Sequence, residues 1–397
     1  MYEYNLPLSP LATVNMIPFN KPYLTGKEME YIQEAVQSGQ LSGNGKFTQK
    51  CHTFFEQRYG FKKVLLTTSG TDALEMAALL INIQPGDEVI VPAYTFVSTA
   101  NAFALRGATI VFADSHALNP NLDASGLEAL ITPRTKAIVP VHYAGIACDM
   151  DKIMFLARKY QLYVIEDAAQ AIDSYYISPD GSKKALGSIG HLAAFSFHET
   201  KNIISGEGGM LVINEASLLL QAEIIWEKGT DRAAFFRGET AKYQWVALGS
   251  SFLPSEITAA FLWAQLENLD QIQSRRTEIW LQYTNGLGEL AQRNLAKLPF
   301  LPSYATNNAH RFYLICADLP ERTALLAALK AKNIHAVFHY LALHQSPYFH
   351  NQYRGKSLPY TEFYTNTLLR PPFFYELKTE EIAYIIEVIR NFYRTRI

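Results

Sequence analysis

Phe195-Ser196-Phe197-His198-Glu199-Thr200-Lys201, followed by Ser205-Gly206-Glu207-Gly208-Gly209, runs an apolar strand into a lysine and then into a glycine turn. This pattern holds an amine at a strand end instead of out in solvent. If burial or a neighbouring cation lowers its pKa, Lys201 can attack a carbonyl as the neutral amine and form a Schiff base. A lone lysine before a glycine turn is ordinarily a solvated charge, so the reading of Lys201 depends on the stretches upstream.

Those stretches alternate strands with helices. Val64-Leu65-Leu66-Thr67-Thr68 reads as a buried strand. Next comes the small-residue turn Ser69-Gly70-Thr71-Asp72 and a strongly helical run from Ala73 to Ile83. The backbone N–H groups of Gly70, Thr71 and Asp72 at that helix start suit a phosphate; the same pattern is also an ordinary Ser/Thr N-cap, and the Gly-Lys-Ser/Thr ending of a P-loop is absent. Glu88 to Ala93 is the next strand, delivering Tyr94-Thr95-Phe96 to a helix from Val97 to Leu105. Phe96 can there stack on a flat heteroaromatic ring or belong to the core.

The alternation continues through a strand at Thr109–Ala113, a helix at Ala124–Ile131, a strand at Ala137–His142, a helix at Met150–Tyr160 and a strand at Leu162–Asp167. This order predicts an α/β fold: a mostly parallel central sheet with helices on both faces. Ligands of such sheets sit outside the carboxyl ends of the strands. Gly70, Thr71, Phe96, Asp167 and Lys201 each follow a separate strand, so they are expected to converge.

One chemistry uses an amine, an anion cradle, a flat surface and a carboxylate together. It is that of pyridoxal 5'-phosphate, in which the carboxylate keeps the ring nitrogen protonated. Asp167 supplies that carboxylate, although Asp at a strand end is also a common turn residue. Ala169 and Phe96 would flank the two faces of the ring, Gln170 would hydrogen-bond near its phenolic oxygen, and Ser196 would add a hydroxyl to the phosphate. Lys201 would hold the cofactor and later shuttle a proton.

Composition narrows the class. With 397 residues, 49% hydrophobic and 18% charged, the chain is an ordinary globular enzyme by composition and long enough for a large domain plus a smaller one. A net charge of −2 without a Lys/Arg block argues against a nucleic-acid surface or an anionic-membrane anchor. No apolar run is long enough to span a membrane. Cys51, Cys148 and Cys316 are far apart and form no CxxC pair, which indicates neither a disulfide framework nor a metal site and suits a reducing cytoplasm. Residues 1–15 lack a basic leader and read as an N-terminal extension.

Ser69 to Leu74, Pro92 to Phe96, Val141 to Gly145, Glu166 to Gln170, and Ser196 to Lys201 with Gly206 to Gly209 closely resemble the DegT/DnrJ/EryC1/StrS nucleotide-sugar aminotransferases. The resemblance runs from about Ile17 to the C-terminus. It implies a fold-type-I pyridoxal-phosphate-dependent transferase, with a large cofactor domain over 16–265 and a bridging helix plus small α/β domain over 266–397. It further implies a glutamate donor, a nucleotide-linked keto-sugar acceptor and a homodimer with shared active sites. The runs Phe47 to Cys51, Gln84 to Ile90, Thr95 to Phe103, Ser196 to Asn202 and Ala260 to Glu267 resemble the branch that aminates C4 of dTDP-4-dehydro-6-deoxy-D-glucose in enterobacterial common antigen synthesis.

Where many members have Gly-x-Asn-x-Arg before a helix, this chain has Gly249-Ser250-Ser251-Phe252-Leu253. The resemblance gives Ser251 the asparagine's role toward the partner's phosphate, with a shorter reach, and leaves the arginine's ligand to be held differently. Lys228, Arg232 and Arg237 are candidate cations for a diphosphate or a solvated face. His339 and His344 are candidate substrate contacts, or structural histidines.

Other readings stay open on sequence alone. A C3- or UDP-sugar aminotransferase would share these motifs, as would a non-catalytic cofactor-holding regulator. A sugar 3-dehydratase carries histidine where Lys201 stands, and a nicotinamide dehydrogenase would need a GxGxxG turn after the first strand.

Overall fold

A computed structural model describes residues 16–395; the extension proposed for residues 1–15 lies outside the described residues. Helices α1 (Glu28–Gln37) and α2 (Lys46–Tyr59) precede β1 (Val64–Thr67). The chain then alternates α3 (Gly70–Leu80), β2 (Glu88–Pro92), α4 (Val97–Ala104), β3 (Thr109–Ala113), β4 (Thr135–Ile138), α5 (Met150–Tyr160) and β5 (Tyr163–Asp167). A small antiparallel hairpin, β6 (Tyr175–Ile177) with β7 (Lys183–Ala185), leads to β8 (Leu192–Ser196) and β9 (Gly209–Ile213). The central sheet has seven strands in the order β1-β9-β8-β5-β4-β2-β3. Every pair from β8 to β3 is parallel, and only β9 runs against its neighbours β1 and β8. The predicted mostly parallel α/β sheet is therefore present.

Strand alternation sends successive side chains to opposite faces, and both faces are covered. On β8, Ala193 and Phe195 join one buried cluster with Phe55 of α2 and Ile153 of α5. Leu192 and Ala194 join another, with Leu74 of α3, Phe103 of α4 and Ile225 of α6 (Leu219–Trp226). After α7 (Arg232–Phe236) comes α8 (Glu256–Glu267). Glu256 is buried at its start and accepts the backbone N–H of Gly45 at 2.9 Å and of Phe47 at 2.7 Å, tying α8 to the N-terminus of α2.

Helix α9 (Leu269–Gln292) leads to β10 (Leu314–Ile315), α10 (Leu319–Ala331), β11 (Val337–Phe338), α11 (Pro359–Thr367), β12 (Leu368–Arg370) and α12 (Thr379–Arg394). The three short strands form a separate antiparallel sheet, β10-β12-β11. A third core fills this part, and Ile17 belongs to it, bridging to Ile334. The start of the described chain thus packs against its C-terminal portion.

Three elements differ from the sequence reading. The helix expected at Ala124–Ile131 is a single 3-10 turn, Leu127–Leu130, because Asp123 draws Ser125 into a local turn and Pro133 follows closely. The strand expected at Ala137–His142 ends at Ile138, since Pro140 cannot donate to a ladder. Asn285-Gly286 reads as the end of the bridging helix, yet α9 continues through it to Gln292. Gly286 is a packing glycine: a Cβ there would lie 2.5 Å from the Ile386 side chain of α12.

Candidate active site

The loop that carries Lys201 is folded back on itself. Phe197 N–H donates to the Gly208 carbonyl at 2.7 Å, Glu199 N–H to Gly206 at 2.9 Å and Ser205 N–H to Phe197 at 2.7 Å, which close β8 into β9. Asn202 is buried and pins the loop to the C-terminal portion. Its Nδ2 donates to Gln273 Oε1 at 2.7 Å and to the Asn308 carbonyl at 3.0 Å, and its Oδ1 accepts from His310 Nδ1 at 2.7 Å. Lys201 is left on the wall of a cavity of about 570 Å³. Burial first, and the Arg311 charge second, bring its amine down to about 8. The neutral form is therefore accessible near neutral pH.

Asp167 ends β5, is 6% exposed and faces the same cavity. Thr99 Oγ1 donates to its Oδ2 at 2.7 Å, and Ala169 N–H to its Oδ1 at 3.2 Å. Burial pushes this carboxyl above its ordinary value, while those two donors and the Lys201 charge oppose the rise. Gln170, three residues on, accepts the Ala144 N–H on Oε1 at 2.7 Å, which turns its Nε2 toward Tyr340 Oη at 3.3 Å.

A third wall comes from the start of α3. Ser69 Oγ caps the helix by accepting Asp72 N–H at 3.0 Å. Gly70 and Thr71 line the cavity with Ser196 and Ser98, and Thr71 Oγ1 sits 2.7 Å from Ser98 Oγ. The first N–H groups of a helix have no carbonyl partner within it, so this corner presents two backbone donors and three hydroxyls at a positive helix end. Gly70 is needed for the approach: a Cβ there would lie 2.8 Å from Ser196 Cβ. Asp72 itself does not line the cavity, because its N–H caps Ser69 and its carboxylate takes the Thr68 hydroxyl.

The family model for DegT/DnrJ/EryC1/StrS aminotransferases matches residues 22–390. The chain belongs to that family. It is 33% identical over 391 residues to the spore coat polysaccharide biosynthesis protein SpsC of Bacillus subtilis, covering 95% of this chain and 97% of SpsC. Among solved structures it resembles a DegT DnrJ EryC1 StrS aminotransferase from Brucella abortus, with 29% identity, a TM-score of 0.82, and 92% and 95% of the two chains covered. It also resembles S. venezuelae DesV in complex with a ketimine intermediate, at 27% identity and a TM-score of 0.85 over 96% and 99%.

Family members are pyridoxal-phosphate-dependent sugar aminotransferases that use an amino donor and a nucleotide keto-sugar. The cavity fits the cofactor. Its hydroxyl-rich corner at the start of α3 suits a phosphate, its buried carboxylate suits a ring nitrogen, and Phe96 and Ala169 line the space between. Phe96 is otherwise largely exposed for an aromatic, and its ring lies 6.3 Å from that of Tyr340. Among the described residues, no group of three His, Cys, Asp or Glu side chains could hold a metal ion, and no helix is long and apolar enough to cross a membrane.

Several candidates stand elsewhere. Ser251 is exposed and lies outside the cavity of its own chain. Lys228, Arg232 and Arg237 do not line it either; Arg237 pairs with Glu223 at 2.9 Å and Glu239 at 2.7 Å, and Arg232 lies 3.8 Å from Glu227. His339 does line the cavity, whereas His344 is packed among Phe112, Tyr353 and Glu362. Thr99, Ser98, His310, Arg311 and Arg370 are cavity residues that sequence reasoning missed. Thr95 and Thr99 stand at i and i+4, a helical spacing legible in the sequence, with Ser98 adjacent to Thr99. The arginines sit in apolar stretches more than a hundred residues from Lys201, and nothing local marks them.

Proposed function

We propose that this aminotransferase moves the amino group of glutamate to C4 of dTDP-4-dehydro-6-deoxy-D-glucose, giving dTDP-4-amino-4,6-dideoxy-D-galactose. The reading is carried by one observation: an amine lowered to about 8 and a buried carboxylate, from two different loops, face one cavity whose third wall is a phosphate-suited helix start. Pyridoxal phosphate, when bound, supplies an electron sink conjugated to the reacting carbon.

The chain's own residues divide the remaining work. Gly70 and Thr71 N–H, with the Thr71, Ser98 and Ser196 hydroxyls, would bind the phosphate. Asp167, oriented by Thr99, would hold a proton on the ring nitrogen. Lys201 Nζ would hold the cofactor between cycles and then carry a proton between the substrate carbon and the cofactor. Gln170 Nε2, fixed by Ala144, would orient the ring through its phenolic oxygen. The C4 position and the thymidine nucleotide are supported by the resemblance of Thr95 to Phe103 and Ala260 to Glu267 to the common-antigen branch.

A cytoplasmic homodimer fits the same reading. Trp245, at 77% exposed, and Leu248, at 59%, lie close in sequence to Ser251, which would reach a partner's phosphate. A mass measurement in solution checks the dimer. The substrate test is a panel of dTDP- and UDP-linked 3- and 4-keto-sugars incubated with glutamate, with NMR assignment of the carbon that bears nitrogen. Nitrogen at C4 of the dTDP sugar is expected; nitrogen at C3, or turnover confined to UDP sugars, would overturn the assignment.

A further inference from the structure

The cavity holds more positive charge than its own residues neutralise. Arg311, 8% exposed, and Arg370, at the end of β12, both line it, and neither has a carboxylate within ion-pair distance among the described residues. Asp167 is taken up by Thr99 and Ala169, and Glu207 stands at the exposed rim near His198. An unpaired buried cation is costly, and two in one wall call for an anion.

Their donors are also partly idle. Arg311 Nη2 donates to His310 Nε2 at 2.6 Å and Nη1 to His339 Nδ1 at 2.9 Å, while Nε is buried without a partner. His339 Nδ1 additionally lies 3.0 Å from Tyr143 Oη. The Arg370 side chain makes no hydrogen bond to a described residue; its Nε is buried and unpartnered, and its guanidinium lies 4.5 Å over the Phe19 ring. Aromatic and imidazole neighbours thus fix the two planar forks without neutralising them. Burial and the arginine charges hold His310 and His339 well below the usual histidine range, so both rings accept from Arg311 as neutral groups.

We propose that Arg311 and Arg370 together seat the α-carboxylate of the amino donor. This inference rests on the aminotransferase reading of the cavity. A carboxylate matches a guanidinium fork in a bidentate way, and the α-carboxylate is bonded directly to the reacting carbon, so its seat must adjoin Lys201. Both arginines act on the Lys201 amine, Arg311 as the strongest neighbouring charge. The competing anions have other positions. The cofactor phosphate has the corner at the start of α3, and a nucleotide diphosphate is separated by a whole pyranose ring from a C4 that receives nitrogen.

The test uses the holoenzyme in its lysine-bound form, with which a keto acid cannot transaminate. 2-Oxoglutarate and thymidine diphosphate are titrated separately by calorimetry into the wild type, Arg311→Gln and Arg370→Gln. Each substitution should weaken 2-oxoglutarate by about 30-fold or more while leaving thymidine diphosphate within about threefold, and should slow glutamate-driven bleaching of the cofactor band by about 100-fold. Arg311→Lys and Arg370→Lys, which keep the charge and lose the fork, should weaken 2-oxoglutarate by about tenfold and carry the test if the glutamine variants do not fold. Unchanged 2-oxoglutarate binding, or a loss confined to thymidine diphosphate, would overturn the carboxylate seat while leaving the aminotransferase reading intact. Failure of the wild type to acquire a cofactor band would overturn both.

Discussion

Thr99 Oγ1 donates to Asp167 Oδ2 at 2.7 Å, joining the start of α4 to the end of β5 across 68 residues of sequence. Thr99 is itself 2.9 Å from Thr95 Oγ1, so the carboxylate is oriented by a short hydroxyl relay instead of by a counter-charge. Desolvation raises this carboxyl, and the Thr99 and Ala169 donors with the Lys201 charge work against that rise. Removing the hydroxyl in Thr99→Val should raise the Asp167 pKa further. The acid limb of the kcat profile should then move to higher pH, with a loss near neutrality of about tenfold; an unmoved acid limb would detach Thr99 from this role.

Asp167→Asn keeps the shape and removes the charge that would keep a ring nitrogen protonated. Turnover should fall by about 100-fold or more, while cofactor content, read from the visible band, falls far less.

Lys201→Ala should abolish turnover, with a loss of at least about 1000-fold, and still retain noncovalent cofactor through the α3 corner. Activity assay and visible spectrum together check this. Full activity in the variant would remove Lys201 from the chemistry.

Attachment of pyridoxal phosphate to the cofactor-free protein should follow the Lys201 titration near pH 8. Only the neutral amine attacks, so the rate should rise roughly tenfold per pH unit below 8 and level off above it. An exposed lysine would keep rising to about pH 10. Stopped-flow absorbance from pH 6 to about 10 separates the two.

At the α3 corner, Gly70→Ala would drive a methyl into Ser196 Cβ at 2.8 Å. The helix start must then move away from β8, and cofactor affinity should drop by about tenfold or more with modest loss of melting temperature. Gly286→Leu should do the reverse. It wedges α9 from α12, costing about 1–3 kcal/mol of stability, with turnover kept in the fraction that remains folded; thermal melts and specific activity check both arms.

Alternation of strand and helix, the turn Ser69-Gly70-Thr71 and the run from Phe195 to Lys201 made the sheet class and the cofactor-side loops readable from the chain itself, because they are local patterns of period and turn chemistry. Local signals misled where a neighbour outside the window decided the outcome. Gly286 looked like a helix end, yet α12 lies close against it; Asp72 looked like a phosphate donor, yet Ser69 claims its N–H. The residue types and their order thus specified which strand ends would bring an amine, an acid and a hydroxyl-rich helix start to one cavity. Only tertiary packing decided what surrounds them. Arg311 and Arg370 enter the cavity from the C-terminal portion because Asn202, Gln273 and Asn308 clamp that portion onto the Lys201 loop, and long-range clamps of this kind leave no periodic trace in a linear sequence.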